Sequence, residues 1–557
     1  MKSLTIGAAF AALAAAPAAA QDATMSEAEL RALLADAELA GYRVLDDSCL
    51  IACDAATGDT DAVLRSVAQH AAASSGSGDA PTEVRTDEDA DAVAYRGNGR
   101  GLQRFRTAPQ VVYLKFDNDG SAQFPVDVFD FETRQLLGRI FVDDYVYSQS
   151  DRAFIADRVR ADYAPFDVEV VITEPASGEY ATIDFTDNDR PLGQSNFDIF
   201  LRDDGLAFIT GLFGRADEID FGNDNYGGGA FADPNYYNAV YEIFSPGFYT
   251  VLSGRPGTPE GLREGILNTA AQIGGHEIGH SLGLRHHDSF GAPDNGIPPF
   301  GPPRDEFVPF YDGPAEADET VLHLMATPAF GLPLNEFIST TDGFFSERSA
   351  LKLHLAERAR VFLEGALRHD RRSGTRVVDL KTEMVPNTIV EGQNAGGNKI
   401  KMDVAWVQGR IGEKTEADEY RFTAGAGEFI NAELISFSDF LIEDDLIAKL
   451  RLFRVGRGGE RTLVAENLQT FEPYDPFLLD VQVPEYGEYV LEVTPQEVAF
   501  VPIGSGEYFP VPLDTDANRS LLTGNYDLLI YQVDKALGAR PRRDEYVYDF
   551  PGRGRGR

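Results

Sequence analysis

Cysteine is nearly absent from this chain, with 2 among 557 residues, Cys49 and Cys53. Four apart and close to the amino terminus, they are expected to close one local disulfide in an exported protein, and a metal-ligating role is the alternative. Basic residues are also in short supply: Lys+Arg number 49 against 90 Asp+Glu, a formal net charge of -41. That deficit disfavours nucleic acid and anionic membrane surfaces as partners and suggests a protein kept soluble by self-repulsion. Long apolar runs are missing too. Past the amino terminus nothing approaches the roughly 18 consecutive apolar residues of a membrane helix, so no membrane span is expected. Histidine is scarce, at 8 residues, yet four of them (His276, His280, His286 and His287) fall within residues 276–288.

The amino terminus has the layout of an export signal. Met1-Lys2-Ser3 precedes an Ala-rich run from Leu4 to Ala16, and Pro17-Ala18-Ala19-Ala20 offers a small-residue cleavage site. Residues 1–20 therefore read as a signal peptide, and the mature chain as secreted or periplasmic. In residues 21–70, Ser26 and Glu29 form a capping-box pattern ahead of an amphipathic helix, which suggests a propeptide or an N-terminal accessory segment. Residues 71–105 are polar and Gly- and Ser-containing, the composition of a linker. At the other end, residues 536–557 finish in an Arg-Gly repeat and read as a disordered basic tail.

The middle of the chain carries the chemistry. Residues 276–288 read His-Glu-Ile-Gly-His-Ser-Leu-Gly-Leu-Arg-His-His-Asp. On a helix, His276 and His280 project from one face about 6 Å apart, close enough for two imidazoles to share one tetrahedral Zn²⁺. Glu277 then lies beside the metal, placed as a general base on bound water rather than as a ligand. His286 would lie about 15 Å from His276 if the helix ran straight, so it can join them only if the chain turns back. Gly283 supplies that turn, because glycine enters the left-handed region past a helix end without steric cost. Asp288 follows the third ligand and could accept a hydrogen bond near the site or sit in a solvated loop.

The string H-E-x-x-H-x-x-G-x-x-H resembles the zinc signature of the metzincin metallopeptidases. That family also has a methionine in a tight turn beneath the imidazoles, and Met325, the only methionine between Met25 and Met384, fits its place. Several subfamilies have a tyrosine ligand two residues later; here Thr327 stands at that position, so no fifth protein ligand is expected. The resemblance implies a secreted zinc endopeptidase that acts on protein or peptide substrates. Zn²⁺ would lower the pKa of a bound water to about 7, and Glu277 would take its proton and pass it to the leaving nitrogen. Structural Ca²⁺ occurs in relatives, and Asp184, Asp187 and Asp189, or Asp220 and Asp224, could supply oxygen ligands; a solvated acidic surface is the other reading. A catalytically inactive surface-binding or adhesion protein on the same fold is the alternative function.

Around the motif, residues 106–372 alternate strands with helices. Strands are expected at Val111–Phe116, Phe166–Ile172 and Leu206–Ile209, and helices at Asp151–Tyr163, about Leu262–Leu282 and Ser346 to about Leu367. The order resembles a metzincin catalytic domain, an α+β unit in which a twisted sheet lies over the active-site helix. Its edge would hold an extended peptide, with Gly211–Phe231 as the candidate rim. Residues 373–535 then show short alternating strands at the spacing of an all-β sandwich. Its Asp-x-Tyr-x-Phe and Gly-x-Tyr-x-Leu strings resemble the bacterial pre-peptidase C-terminal domain, which implies an accessory, non-catalytic role. The expected fold class is thus multidomain, an α+β catalytic domain followed by a β-sandwich.

Overall fold

The computed structural model describes residues 25–35, 38–45, 93–97, 102–106, 108–116, 123–185, 197–203, 205–212, 214–216, 219–223, 225–244, 246–285, 288, 290–293, 317–319, 324–325, 345–370, 374–388, 399–436, 446–467, 475–502, 508–512 and 522–534. The expected signal peptide, Cys49 and Cys53, and the expected disordered tail lie outside them. The fold is mostly β, with several sheets and a smaller helical share. Among the described residues no helix is long and apolar enough to cross a membrane.

Two five-stranded sheets hold most strands of the N-terminal part, and Phe290–Pro293 pairs with Ala317–Glu319 in a separate two-stranded sheet. One has the order Gly214–Ala216, Gly229–Ala232, Ala181–Asp184, Gln110–Lys115, Val168–Val171. Its last four strands run parallel, and the edge strand Gly214–Ala216 runs antiparallel to its neighbour. The helix Gln149–Tyr163 leads from strand Leu136–Asp143 of the other five-stranded sheet into Val168–Val171 of this one. It starts two residues before the expected Asp151, because Ser148 accepts from the Asp151 amide while the Asp151 side chain accepts from the Ser148 amide, a closed capping box. Tyr163 at its far end donates to the Gly275 carbonyl at 2.7 Å and so ties this helix to the one that carries the histidine motif.

The other five-stranded sheet incorporates the N-terminal segment. Strand Glu38–Leu45 pairs in parallel with Leu206–Leu212, and the helix Glu27–Ala35 buries Leu30 and Leu34 completely in the main core. The Ser26–Glu29 capping box is present: the Ser26 amide donates to Glu29 at 2.8 Å and the Glu29 amide to the Ser26 hydroxyl at 3.4 Å.

The C-terminal part is two sheets, of eight and six strands, face to face around a second apolar core. The alternating runs at Asp418–Ala424, Phe429–Ile435, Ala448–Val455, Gly487–Pro495 and Gly524–Val533 all form strands, as the sequence pattern suggests. Two boundaries differ from the sequence reading. The helix that begins after Ser346 stops at Glu357, and Arg358–Leu363 is a strand of the eight-stranded sheet, paired with Lys399–Ile411. Ala359 and Phe362 continue the helical spacing of Leu355, while Ala359 and Val361 alternate as in a strand, and pairing with the sandwich decides between the two. The hairpin Val93–Gly97 and Leu102–Arg106, within the expected linker, extends the same sheet. Each run is only five residues long, too short for its alternation to stand out from coil.

The eight-stranded sheet is buried on both faces. Along Lys399–Ile411, Met402, Val404 and Trp406 enter the core shared with the N-terminal part, while Ala405 and Val407 enter the sandwich core. Leu529, Tyr531 and Val533 alternate with Tyr526, Leu528 and Ile530 in the same way. The two parts are therefore joined through a continuous apolar interior, with the Phe221 ring 4.7 Å from that of Trp406.

At one end of the sandwich, Arg376 bridges Asp418 at 2.8 Å and Glu364, and the Tyr526 hydroxyl donates to Asp418 at 2.7 Å. Burial, with the Asp418 carboxylate beside it, pushes the Glu364 carboxyl up to about 7 from 4.5. An acid that binds its proton more tightly when folded contributes stability that is fully present below its unfolded pKa and is lost as pH rises through its folded pKa. The contribution of Glu364 is thus expected to decline between pH 4.5 and about 7. Glu364→Gln should flatten that part of the curve, gaining on wild type as the pH rises. Guanidinium unfolding of both proteins at stepped pH checks this, and a pH-independent difference between them would refute it.

Candidate metal centre

The helix Pro259–Ser281 carries the motif. Thr258 caps it by accepting from the Gly261 amide, and Pro259 occupies its first turn, where no intrahelical amide partner is lost. Every residue from Gly265 to Ser281 is buried. An apolar periodicity cannot be read from such a helix, because it is enclosed on all sides.

Its carboxyl end turns back as the glycine requires. Gly283 has φ +87°, its amide donates to the His280 carbonyl at 2.8 Å, and the Leu284 amide donates to the Gly279 carbonyl at 2.9 Å. These two bonds define a Schellman motif. A side chain at Gly283 would meet the same obstacle twice, a left-handed backbone and the Phe221 main chain, into which its Cβ would project. The reversal returns the Leu284 carbonyl to the helix, where it accepts from His280 Nδ1 at 2.9 Å. His276 Nδ1 donates to the Leu324 carbonyl at 2.7 Å.

A carbonyl can only accept, so both rings carry a proton on Nδ1, and in the neutral form each presents a lone pair at Nε2. The two Nε2 atoms lie 3.0 Å apart with the rings nearly perpendicular, at 81°. Two neutral imidazoles in this tautomer repel at that distance unless a cation or a shared proton lies between them. Tetrahedral zinc with bonds of about 2.0–2.1 Å spaces its nitrogen ligands by roughly 3.3 Å, close to what is found. His276 and His280 therefore fit a metal in donor chemistry, tautomer and spacing. His286 and His287 lie outside the described residues. Among the described residues no three His, Cys, Asp or Glu side chains form a group able to hold a metal ion.

Glu277 is 2 % exposed and points towards the edge strand. A Cβ on Gly214 would overlap its carboxylate, so this glycine is what lets the edge strand pass close to the acid. Met325 is buried, and its sulfur lies where a Cβ on Gly279 would be, against the helical turn between the two histidines. Leu324 and Met325 thus contribute a carbonyl to one ring and a sulfur contact to the turn that carries both. Burial pushes the Tyr163 hydroxyl well above its usual range, helped by the nearby Asp162 and Glu277 charges, so it remains a donor to Gly275.

Asp288 is fully buried. It accepts from the Arg285 amide at 3.0 Å and from Lys352 Nζ at 2.8 and 3.0 Å. Of the acidic loops weighed for calcium, Asp184 pairs with Lys115 at 2.5 Å and Asp220 accepts from the Asn225 amide at 2.8 Å. Asp187, Asp189 and Asp224 lie outside the described residues, as do His323 and Thr327. Gly214, Tyr163, Arg285 and Lys352 had no signal in the sequence as parts of this centre. Each acts from a different element, and nothing in a local motif marks them.

No family model matches the chain, and no curated protein matches it. Among solved structures it is similar to two periplasmic inhibitors of g-type lysozyme. The PliG of Aeromonas hydrophila shares 14% identity over 23% of this chain and 84% of its own, with a TM-score of 0.14. The PliG of Salmonella Typhimurium shares 19% over 26% of this chain and 94% of its own, also with a TM-score of 0.14. At that score neither bears on the fold or the function.

Proposed function

We propose that this chain is an exported zinc-dependent endopeptidase of the metzincin type. The observation that carries the reading is the convergence of His276 and His280 Nε2 at 3.0 Å, each ring locked by a carbonyl on its Nδ1, beside a buried glutamate. His276, His280 and, from the sequence, His286 would hold the zinc. When bound, zinc supplies Lewis acidity, which lowers the pKa of a water and polarises a carbonyl. The residues of the chain do the rest. Glu277 takes a proton from the attacking water and returns it to the departing nitrogen, and its burial keeps bulk water from competing. Met325 and the Leu324 carbonyl hold the imidazoles in one orientation. The edge strand Gly214–Ala216, hydrogen-bonded on one side to Gly229–Ala232, would receive an extended peptide along its other side. The signal-like leader supports action outside the cytoplasm.

Metal analysis of purified protein tests the proposal. One zinc per chain is expected, with casein cleavage that is lost on chelation and restored by zinc. A protein that takes up no zinc when amply supplied, or whose zinc survives His276→Ala, would overturn the reading.

A further inference from the structure

We infer that the β-sandwich is a working part of the metal centre: its carboxylates Asp475 and Glu433 grip the turn whose Leu284 carbonyl orients His280. This rests on the zinc reading above. Arg285, next to Leu284, reaches Asp475 at 2.5 Å, with both side chains 1 % exposed. Asp475 is itself fixed by Ser436, whose hydroxyl donates to it at 2.6 Å and whose amide donates at 3.1 Å. Three residues on, Asp288 accepts from Lys352 Nζ, which also reaches Glu433 at 2.5 Å, and the Tyr531 hydroxyl donates to Glu433 at 2.9 Å. Asp475, Glu433 and Tyr531 all belong to the sandwich; Arg285, Asp288 and Lys352 do not. His286 lies between Arg285 and Asp288 in the sequence.

Apolar packing alone would join the two parts at least as strongly. Buried ion pairs lose hydration, and apolar residues of the same volume are often as stabilising or more so. What a buried ion pair adds is placement: neither Arg285 nor Asp475 can move away without leaving the other charge uncompensated in the interior. The Arg285 amide and the Asp288 side chain bond at 3.0 Å, and the Asp288 amide donates to the Arg285 carbonyl at 3.1 Å, so the two gripped residues also brace each other. A third pair of the same kind, Arg348 with Asp480 at 2.7 Å, holds the adjoining helix to the sandwich. Asp480 adopts φ +50°, which a non-glycine residue sustains only where its surroundings demand it, and Asn431 accepts from its amide at 2.8 Å. The chain from sandwich to metal is therefore Asp475, Arg285, the Leu284 carbonyl, then His280 Nδ1.

Asp475 and Glu433 are thus positioning residues, and their test is metal affinity and metal geometry in the full chain. Asp475→Asn should weaken zinc binding about tenfold or more in competition with a chromophoric chelator, as the loss of a group that orients a ligand does elsewhere. The visible spectrum of the cobalt-substituted variant should change in band position or intensity. Ser436→Ala removes a hydroxyl that contacts both Asp475 and the Leu446 carbonyl, keeps the charges paired, and should give a smaller shift in the same direction. Near-UV circular dichroism identifies the folded variants; if Asp475→Asn does not fold, Ser436→Ala decides. Folded variants with wild-type zinc affinity and an unchanged cobalt spectrum would sink the positioning role while leaving the peptidase reading intact. Failure of the wild-type protein to bind zinc would instead sink the peptidase reading.

Discussion

Glu277→Gln is expected to leave the zinc content of the protein at one per chain and to reduce peptide hydrolysis by about 10³-fold or more, within or at the top of the range that general acid–base groups contribute. The substitution is nearly isosteric. The amide fills the space that the carboxylate holds against Gly214, so the edge strand and the helix keep their separation. What changes is proton affinity: an amide neither takes the proton from the attacking water nor delivers it to the leaving nitrogen. A 10³-fold loss corresponds to about 4 kcal/mol of transition-state stabilisation. The loss should fall on kcat, because in the proposed mechanism Glu277 acts on the reacting water and makes no contact that the bound substrate alone requires. Turnover by the variant at the wild-type rate, with zinc in place, would remove Glu277 from the mechanism.

Lys352→Met should destabilise the whole protein by about 3–5 kcal/mol, the usual cost of removing one member of a buried ion pair. Its ammonium lies between Asp288 and Glu433, and all three side chains are at most 2 % exposed. Methionine follows the same path with similar volume, so the lost packing is small. Two carboxylates would remain in the interior without the cation they share, and burial disfavours their charged forms. Adding Asp288→Asn and Glu433→Gln to Lys352→Met should recover most of the loss, since the site would then be neutral. Guanidinium unfolding midpoints check both expectations. A single-variant midpoint equal to that of wild type would mean that the ammonium does not neutralise the pair. Because the eight-stranded sheet belongs to both apolar cores, the variant should loosen both parts together.

The most legible elements were those with a local cause. The helix after Ser148 and the turn at Gly283 each follow from one or two side chains and the backbone beside them. The sandwich strands were legible from their alternation. The role of their second face was not, because residues such as Val404 and Trp406 read in sequence like any other strand positions, yet they pack against the N-terminal part. The helix after Ser346 was read too long for the related reason that the apolar residues Ala359, Val361 and Phe362 satisfy two periodicities at once. The partner strand Lys399–Ile411 settles which one is used.

Within the centre the division is similar. The sequence alone determined the chemistry on offer, two imidazoles one helical turn apart with an acid between them and a glycine to end the helix, because these relations depend on helix geometry and on the freedom of φ at one residue. Only the tertiary structure decided which tautomer the rings adopt, since the Leu324 carbonyl comes from a segment 48 residues away and the Leu284 carbonyl arrives by the reversal of the chain. It decided equally that Gly214 should pass Glu277 and that Asp475 should hold Arg285. Such pairings join groups far apart in sequence, and a side chain's partner across that distance is chosen by how the sheets and helices pack, on which the local pattern is silent.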